Sequence, residues 1–197
     1  DKVKSLGQLM EIYCKSVGRN GTLLLNFPVN KDGLIHPADS IRGSEFRKMV
    51  ESVFGNNLAK DAKVETDNVR ENSRAFAASK VLDGKPSTYW AADDDVLKAS
   101  IVLDFGKELT FNRFMVQEYV RLGQRVRDFA LEAMIDGEWQ PLKDQYSAGE
   151  DGLQTIGYKR IICFPTVNAT KLRFSILDSR ACPIISEMGV YFAPDVE

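Results

Sequence analysis

The chain has 197 residues, enough for one domain and a remainder at roughly 150 residues per domain. It is 44% hydrophobic and 27% charged, too apolar for a disordered chain, and 26 basic against 28 acidic residues leave a net charge of −2 with no basic field for nucleic acid. The longest apolar stretches, around residues 22–29 and 100–105, fall far short of the ~18 residues that span a bilayer, and no cationic amphipathic stretch suits a membrane surface.

Three cysteines, Cys14, Cys163 and Cys182, are widely spaced and form no CxxC pair, so at most one disulfide is available. His36 is the only histidine, which leaves a structural zinc site without ligands. A Ser-His-Asp or Cys-His arrangement would have to run through His36, which lies before Pro37 and reads as a loop residue ahead of a helix. The sequence begins Asp-Lys-Val-Lys-Ser-Leu-Gly, without the charged and apolar regions of a signal peptide. The expectation is either a cytoplasmic protein or a piece of a longer one, and the segments that follow favour the second.

Leu6, Leu9, Met10, Tyr13 and Val17 recur at helical spacing, and Gly18 with the turn Arg19-Asn20-Gly21 ends that helix. Thr22 to Phe27 is a continuous apolar run, the signature of a strand covered on both faces as in a parallel sheet. Asn30-Lys31-Asp32-Gly33 is a turn by composition. Pro37 opens a second helix with the stripe Phe46, Met49, Val50 and Val53, closed by Gly55. Helix, buried strand and helix make about one and a half units of a (β/α)8 barrel, which needs ~250 residues. Residues 1–60 are therefore expected to be a truncated remnant. Deprived of neighbours, Leu23–Phe27 should self-associate, stay disordered or collapse onto the rest.

Residues 56–67 are small and polar, a linker or entry strand. Beyond Val69, segments alternate apolar and polar residues at period two: Ser100–Phe105, Phe111–Glu118, Phe129–Ile135, Lys159–Phe164, Lys171–Ile176 and Glu187–Phe192. Asp136-Gly137 marks a hairpin. The fold class is mainly β, with residues 61–197 an antiparallel β-sandwich or jelly roll.

The string Asn20-Gly21-Thr22-Leu23-Leu24-Leu25-Asn26-Phe27-Pro28, followed by Asp32-Gly33-Leu34-Ile35, resembles the end of the catalytic barrel of α-L-fucosidases of glycoside hydrolase family 29. Lys80-Val81-Leu82-Asp83-Gly84-Lys85-Pro86-Ser87-Thr88-Tyr89-Trp90 and Ile101 to Gly106 resemble the discoidin-like F5/8 type C module, carbohydrate-binding module family 32. Residues 117–126 (Gln-Glu-Tyr-Val-Arg-Leu-Gly-Gln-Arg-Val) and Ile156-Gly157-Tyr158-Lys159-Arg160 resemble modules joined to bacterial fucosidases. The resemblance implies the non-catalytic C-terminal part of an enzyme that removes terminal α-L-fucose, in a periplasmic or secreted setting. Its partners would be the upstream barrel and a fucose- or galactose-containing glycan. The family's catalytic carboxylates lie on earlier barrel strands, and neither Asp32 nor Asp39 has a partner wall, so this chain alone is expected to be inactive. The rival reading is a stand-alone carbohydrate-binding or adhesion module, and a third is a spacer that binds no sugar.

By the same resemblance, structural Ca2+ is expected at Lys80, Asp83, Lys85, Thr88, Ser186 and Glu187. A tight turn at Asp83-Gly84 can aim a carboxylate, a hydroxyl and carbonyls at one point, as calcium's hard oxygen shell requires. The alternative is a plain turn whose side chains pair with backbone. Along Phe111–Glu118, Glu118 shares the apolar face with Phe114 and Val116, and an inward charge calls for an Arg partner from Arg121, Arg125 or Arg127. Tyr119, Arg121, Gln124 and Arg125 in the following loop, with Trp90 and Arg180, are candidates for carbohydrate or interdomain contact; the interdomain role is the favoured one for the loop.

Overall fold

The computed structural model describes residues 3–147 and 154–195. Helix α1 spans Leu6–Ser16 and starts on a capping box, in which Ser5 and Gln8 satisfy each other's backbone N–H groups. Helix α2 spans Pro37–Phe54, with Pro37 at the first turn; the Nδ1 of His36 accepts the Ala38 N–H at 3.2 Å. His36 is thus a helix cap. Both helices lie where the periodicity puts them.

The run between them departs from expectation. Thr22–Pro28 forms no strand: Leu24 is 90% exposed, while Leu23 and Leu25 are half-buried against the helices. A strand needs a neighbour to take its N–H and C=O groups, and the described residues supply no parallel partner for the run. The segment ends in an isolated bridge between Val29 and Ile35.

Strands β1 (Lys63–Thr66), β2 (Trp90–Ala91), β3 (Ala99–Glu118), β4 (Val126–Ile135), β5 (Glu138–Pro141), β6 (Arg160–Ser179) and β7 (Ile184–Tyr191) follow, every named pairing antiparallel. Residues 70–82 form three short 3-10 turns. Four expected strands merge into two, because β3 and β6 each run 20 residues through register shifts that bend them from one layer into the other. Their halves build a layer β1-β3-β6-β4-β5 and a layer β2-β7-β3-β6. Asp136 and Gly137, both at positive φ (51° and 83°), make the tight turn between β4 and β5 that Asp-Gly predicts.

The sandwich core contains Trp90, Ile101, Leu103, Phe111, Phe114, Phe129, Leu131, Leu172 and Phe174. A second cluster lies on the outer face of the β7-β3-β6 layer. There α1 and α2 cover Met115, Ile161, Cys163 and Tyr191, the residues that alternate with core-facing Phe114, Val116, Ile162, Phe164 and Val190. That second cover is why β7 is buried along nearly its whole length.

Candidate cation site and loop rim

The third of these 3-10 turns, Ala78–Leu82, delivers Asp83 to a turn with Gly84 at φ 66°. Asp83 Oδ1 accepts the Lys85 N–H at 3.0 Å. Thr88 Oγ1 lies 2.8 Å from each Asp83 carboxylate oxygen and 3.0 Å from the Lys85 carbonyl oxygen. One hydroxyl hydrogen cannot serve three acceptors, so this knot of oxygens is electron-rich, a donor set suited to a hard cation. Glu187, on β7, belongs to the same field: burial first, and then the charge of Asp83, push its carboxyl up to about 7.

The remaining predicted ligands are placed less tightly. The Lys80 ammonium stands 3.9 Å from Asp83 Oδ2, and its carbonyl accepts the Asp83 N–H at 3.5 Å. Ser186 is buried and its hydroxyl donates to the Gln117 carbonyl at 3.3 Å. Among the described residues no three His, Cys, Asp or Glu side chains converge as a metal group. Any cation here is held largely by carbonyl and hydroxyl oxygens.

Glu118 corrects the expected charge pair. It is 2% exposed, yet among the described residues no arginine side chain forms an ion pair with it; Oε1 accepts the N–H groups of Arg125 (2.7 Å) and Val126 (2.9 Å), and Oε2 that of Gly157 (2.8 Å). Backbone amides at the turn satisfy the carboxylate without burying a second side-chain charge. Arg127 pairs with Asp178 instead, at 2.7 Å. The Arg125 guanidinium donates to the Cys182 carbonyl and contacts its Sγ, both at 2.8 Å, and Arg180 N–H donates to the Arg125 carbonyl at 2.8 Å. Arg125 therefore staples two loops together, and the exposed Arg121, Gln124 and Arg180 stand on the rim of that staple.

Trp90 cannot be a sugar platform in this fold, being 0% exposed with its Nε1 donating to the Asn68 carbonyl at 2.9 Å. An indole in a sandwich core packs beneath the turn it follows. Tyr119 is half-buried and stacks on Tyr89 (centroids 4.5 Å apart), which in turn meets Phe76 at 5.5 Å. Tyr89 escaped notice because nothing in its local pattern separates it from its neighbour Trp90.

Two residues that sequence reading missed join the N-terminal segment to the sandwich. Asn20, at φ 65°, donates to the Ile156 carbonyl (2.9 Å) and accepts the Lys159 N–H (2.8 Å). Buried Asp144 accepts from Arg19 (3.2 Å) and Arg160 (3.5 Å). Three of the strings quoted above thus interlock: residues 20–21 on 156–160, and 156–160 on 117–126.

The family model for the F5/8 type C domain matches residues 62–188. This chain belongs to the F5/8 type C domain family. Beyond that domain, the chain is 34% identical over 93% of its length to Alpha-L-fucosidase 1 of Arabidopsis thaliana, covering 36% of that protein. It is 47% identical to a glycoside hydrolase 29 family member from an unknown rumen bacterium, over 99% of this chain and 30% of that one, with a TM-score of 0.79. A Ruminococcus gnavus GH29 fucosidase solved in complex with fucose is 32% identical, with a TM-score of 0.87 over 98% of this chain and 37% of its own. The chain therefore spans about a third of the length of these relatives, N-terminal segment included.

Proposed function

We propose that the chain is the non-catalytic C-terminal portion of a family 29 α-L-fucosidase, a module that braces the catalytic barrel and presents a carbohydrate-binding rim. Residues 1–60 are then the last helix-strand-helix of that barrel, and residues 61–197 the sandwich. The observation that carries this is the interlock of Asn20 with Ile156 and Lys159 beside Leu24, which stands 90% exposed. The segment is anchored to the sandwich at one end, and its apolar run pairs with no strand among the described residues, as a piece of a larger closed sheet would be. A glycan, fucose- or galactose-containing, would meet the rim of Tyr119, Arg121, Gln124 and Arg180. The parent would act outside the cytoplasm, in the periplasm or secreted.

Calcium belongs to the same reading. Asp83, Thr88 and Glu187, with the carbonyls of Lys80, Lys85 and Ser186, would hold it, and its charge would neutralise the Asp83–Glu187 pair and tie the turn to β7. The ion is structural, with no role in hydrolysis.

The test compares the chain alone with the same chain carrying its upstream coding sequence, each assayed on an aryl α-L-fucoside and titrated with fucosyl and galactosyl oligosaccharides. The expected result is hydrolysis only in the longer form. Hydrolysis by the chain alone would overturn the reading. Glycan binding at full strength with no barrel encoded upstream would instead establish the stand-alone adhesion module.

A further inference from the structure

Cys14, on α1, and Cys163, on β6, come from opposite sides of the boundary between the N-terminal segment and the sandwich, 149 positions apart in sequence. Both are free thiols buried in the second hydrophobic cluster, with exposures of 2% and 0%, close enough for each to perturb the other's ionisation. The backbone holds them there. Ile161 N–H donates to the Gly18 carbonyl at 2.8 Å, Gln145 N–H donates to the Cys163 carbonyl at 2.7 Å, and Asp144 Oδ1 accepts the Cys163 N–H at 3.4 Å. Gly18 has no room for a side chain, since a Cβ would lie 2.9 Å from that of Ile161, so the end of α1 is pressed against β6 at this point.

We propose that Cys14 and Cys163 are a disulfide-forming pair, and that in an oxidising compartment this bond welds the N-terminal segment to the sandwich. The bond crosses the boundary that Asn20 and Asp144 hold by hydrogen bonds and charge. Cys182 stays reduced: its Sγ is contacted by Arg125 at 2.8 Å and Arg70 at 3.3 Å, in the loops beyond the sandwich, and it belongs to neither hydrophobic cluster.

The chemistry is thiol–disulfide exchange with a small-molecule or protein disulfide. The oxidant first forms a mixed disulfide with Cys163, releasing one thiol. The Cys14 thiolate then attacks the Cys163 sulfur, the S–S bond forms, and the oxidant's second sulfur leaves as a thiol. The two protein thiols give up two protons and two electrons, and the oxidant's disulfide takes them up. Because both sulfurs are buried, the bond forms as the chain folds.

The test refolds the chain in a reduced/oxidised glutathione buffer, blocks free thiols, and maps the peptides without reduction. The expected product is one linked peptide joining Cys14 to Cys163, lighter than the reduced pair by two hydrogens, with Cys182 alkylated. Cys182→Ser should give the same link, and Cys14→Ser should give none while retaining the strand content of the sandwich by circular dichroism. A closed loop this long should raise the melting temperature of the oxidised form by about 5 °C or more over the reduced form. Three alkylated cysteines in folded protein, or a link involving Cys182, would overturn the proposal, as would oxidised and reduced forms that melt together.

Discussion

The Glu118 carboxylate accepts the Arg125 backbone N–H at 2.7 Å while the guanidinium of the same arginine turns away to the Cys182 carbonyl at 2.8 Å. One residue is thus held twice, by its backbone from one strand end and by its side chain from the next loop. The carboxylate also holds Gly157, so the loop after β3, the approach to β6 and the approach to β7 share one anchor. Replacing Glu118 by Ala leaves three N–H groups without an acceptor, two of them buried and one part-buried, each satisfied now by a charged partner. The expected cost is about 3 kcal/mol, and Glu118→Gln should recover only part of it, because its amide sets a donor against a donor. At roughly 2–4 °C per kcal/mol for a chain of this length, thermal unfolding should drop by about 6–12 °C in Glu118→Ala. A drop under a degree would remove the anchor from the account.

The Asp83–Glu187 pair makes stability depend on pH with a definite sign. Glu187 titrates near 7 in the folded protein against an ordinary glutamate value of 4.5 once unfolded, so between those values the folded form binds more protons than the unfolded one. In metal-stripped protein the stabilisation is complete below about pH 4.5 and is lost as pH rises through about 7. Calcium should reverse this, since it competes with the proton for the same carboxylates, and the rise in melting temperature on adding calcium should be larger at about pH 8 than at about pH 5. Glu187→Gln should flatten the metal-free profile and Asp83→Asn should abolish the calcium response. A calcium titration that moves neither protein nor variants would discard the cation site.

Gly157 tests the interlock. It sits at φ 67° with the Asn20 side chain 2.5 Å from where a Cβ would stand. Gly157→Ala meets both a left-handed backbone, costing about 1 kcal/mol, and a side-chain collision. Removing the obstacle with Asn20→Ala should rescue the steric part, so the double variant should be more stable than the sum of the singles predicts by about 1 kcal/mol or more. Strict additivity in denaturant unfolding would show that the two residues do not meet.

The N-terminal segment leaves Leu24 90%, Leu34 65%, Ile35 45% and Ile41 59% exposed. A group of apolar side chains this exposed favours association, which light scattering should reveal as growth in mass with concentration. Leu24→Lys should reduce that growth with a change in melting temperature of no more than about 1 °C, because the side chain already stands in water. A concentration-independent monomer in the parent protein would contradict this.

Legibility in the sequence followed the range of the forces. Helices α1 and α2 were readable because their stripes and caps lie within four residues of one another, and Asp136-Gly137 because a two-residue turn states its own dihedrals. The period-two segments located β3, β4, β6 and β7 but did not show that pairs of them fuse into single bent strands. Nor did they separate two kinds of burial: Phe114 faces the sandwich core and Met115 faces α1 and α2, yet both are simply apolar letters. In the candidate site, the Asp83–Thr88 turn is local and was legible. The amide cage around Glu118 was not, since it depends on groups brought from far along the chain.

What the sequence alone determined is the pair of N-terminal helices and the antiparallel sandwich class of the chain that follows them. Periodicity, caps and turn residues are short-range signals that survive without tertiary context. The tertiary structure decided the rest. It left Thr22–Phe27 irregular, because an apolar run becomes a strand only when another strand takes its hydrogen bonds. It turned Glu118 onto backbone amides, because a buried charge settles on whichever donors the fold delivers. And it brought Cys14 and Cys163 into one hydrophobic cluster, a meeting of a helix and a strand that no local pattern encodes.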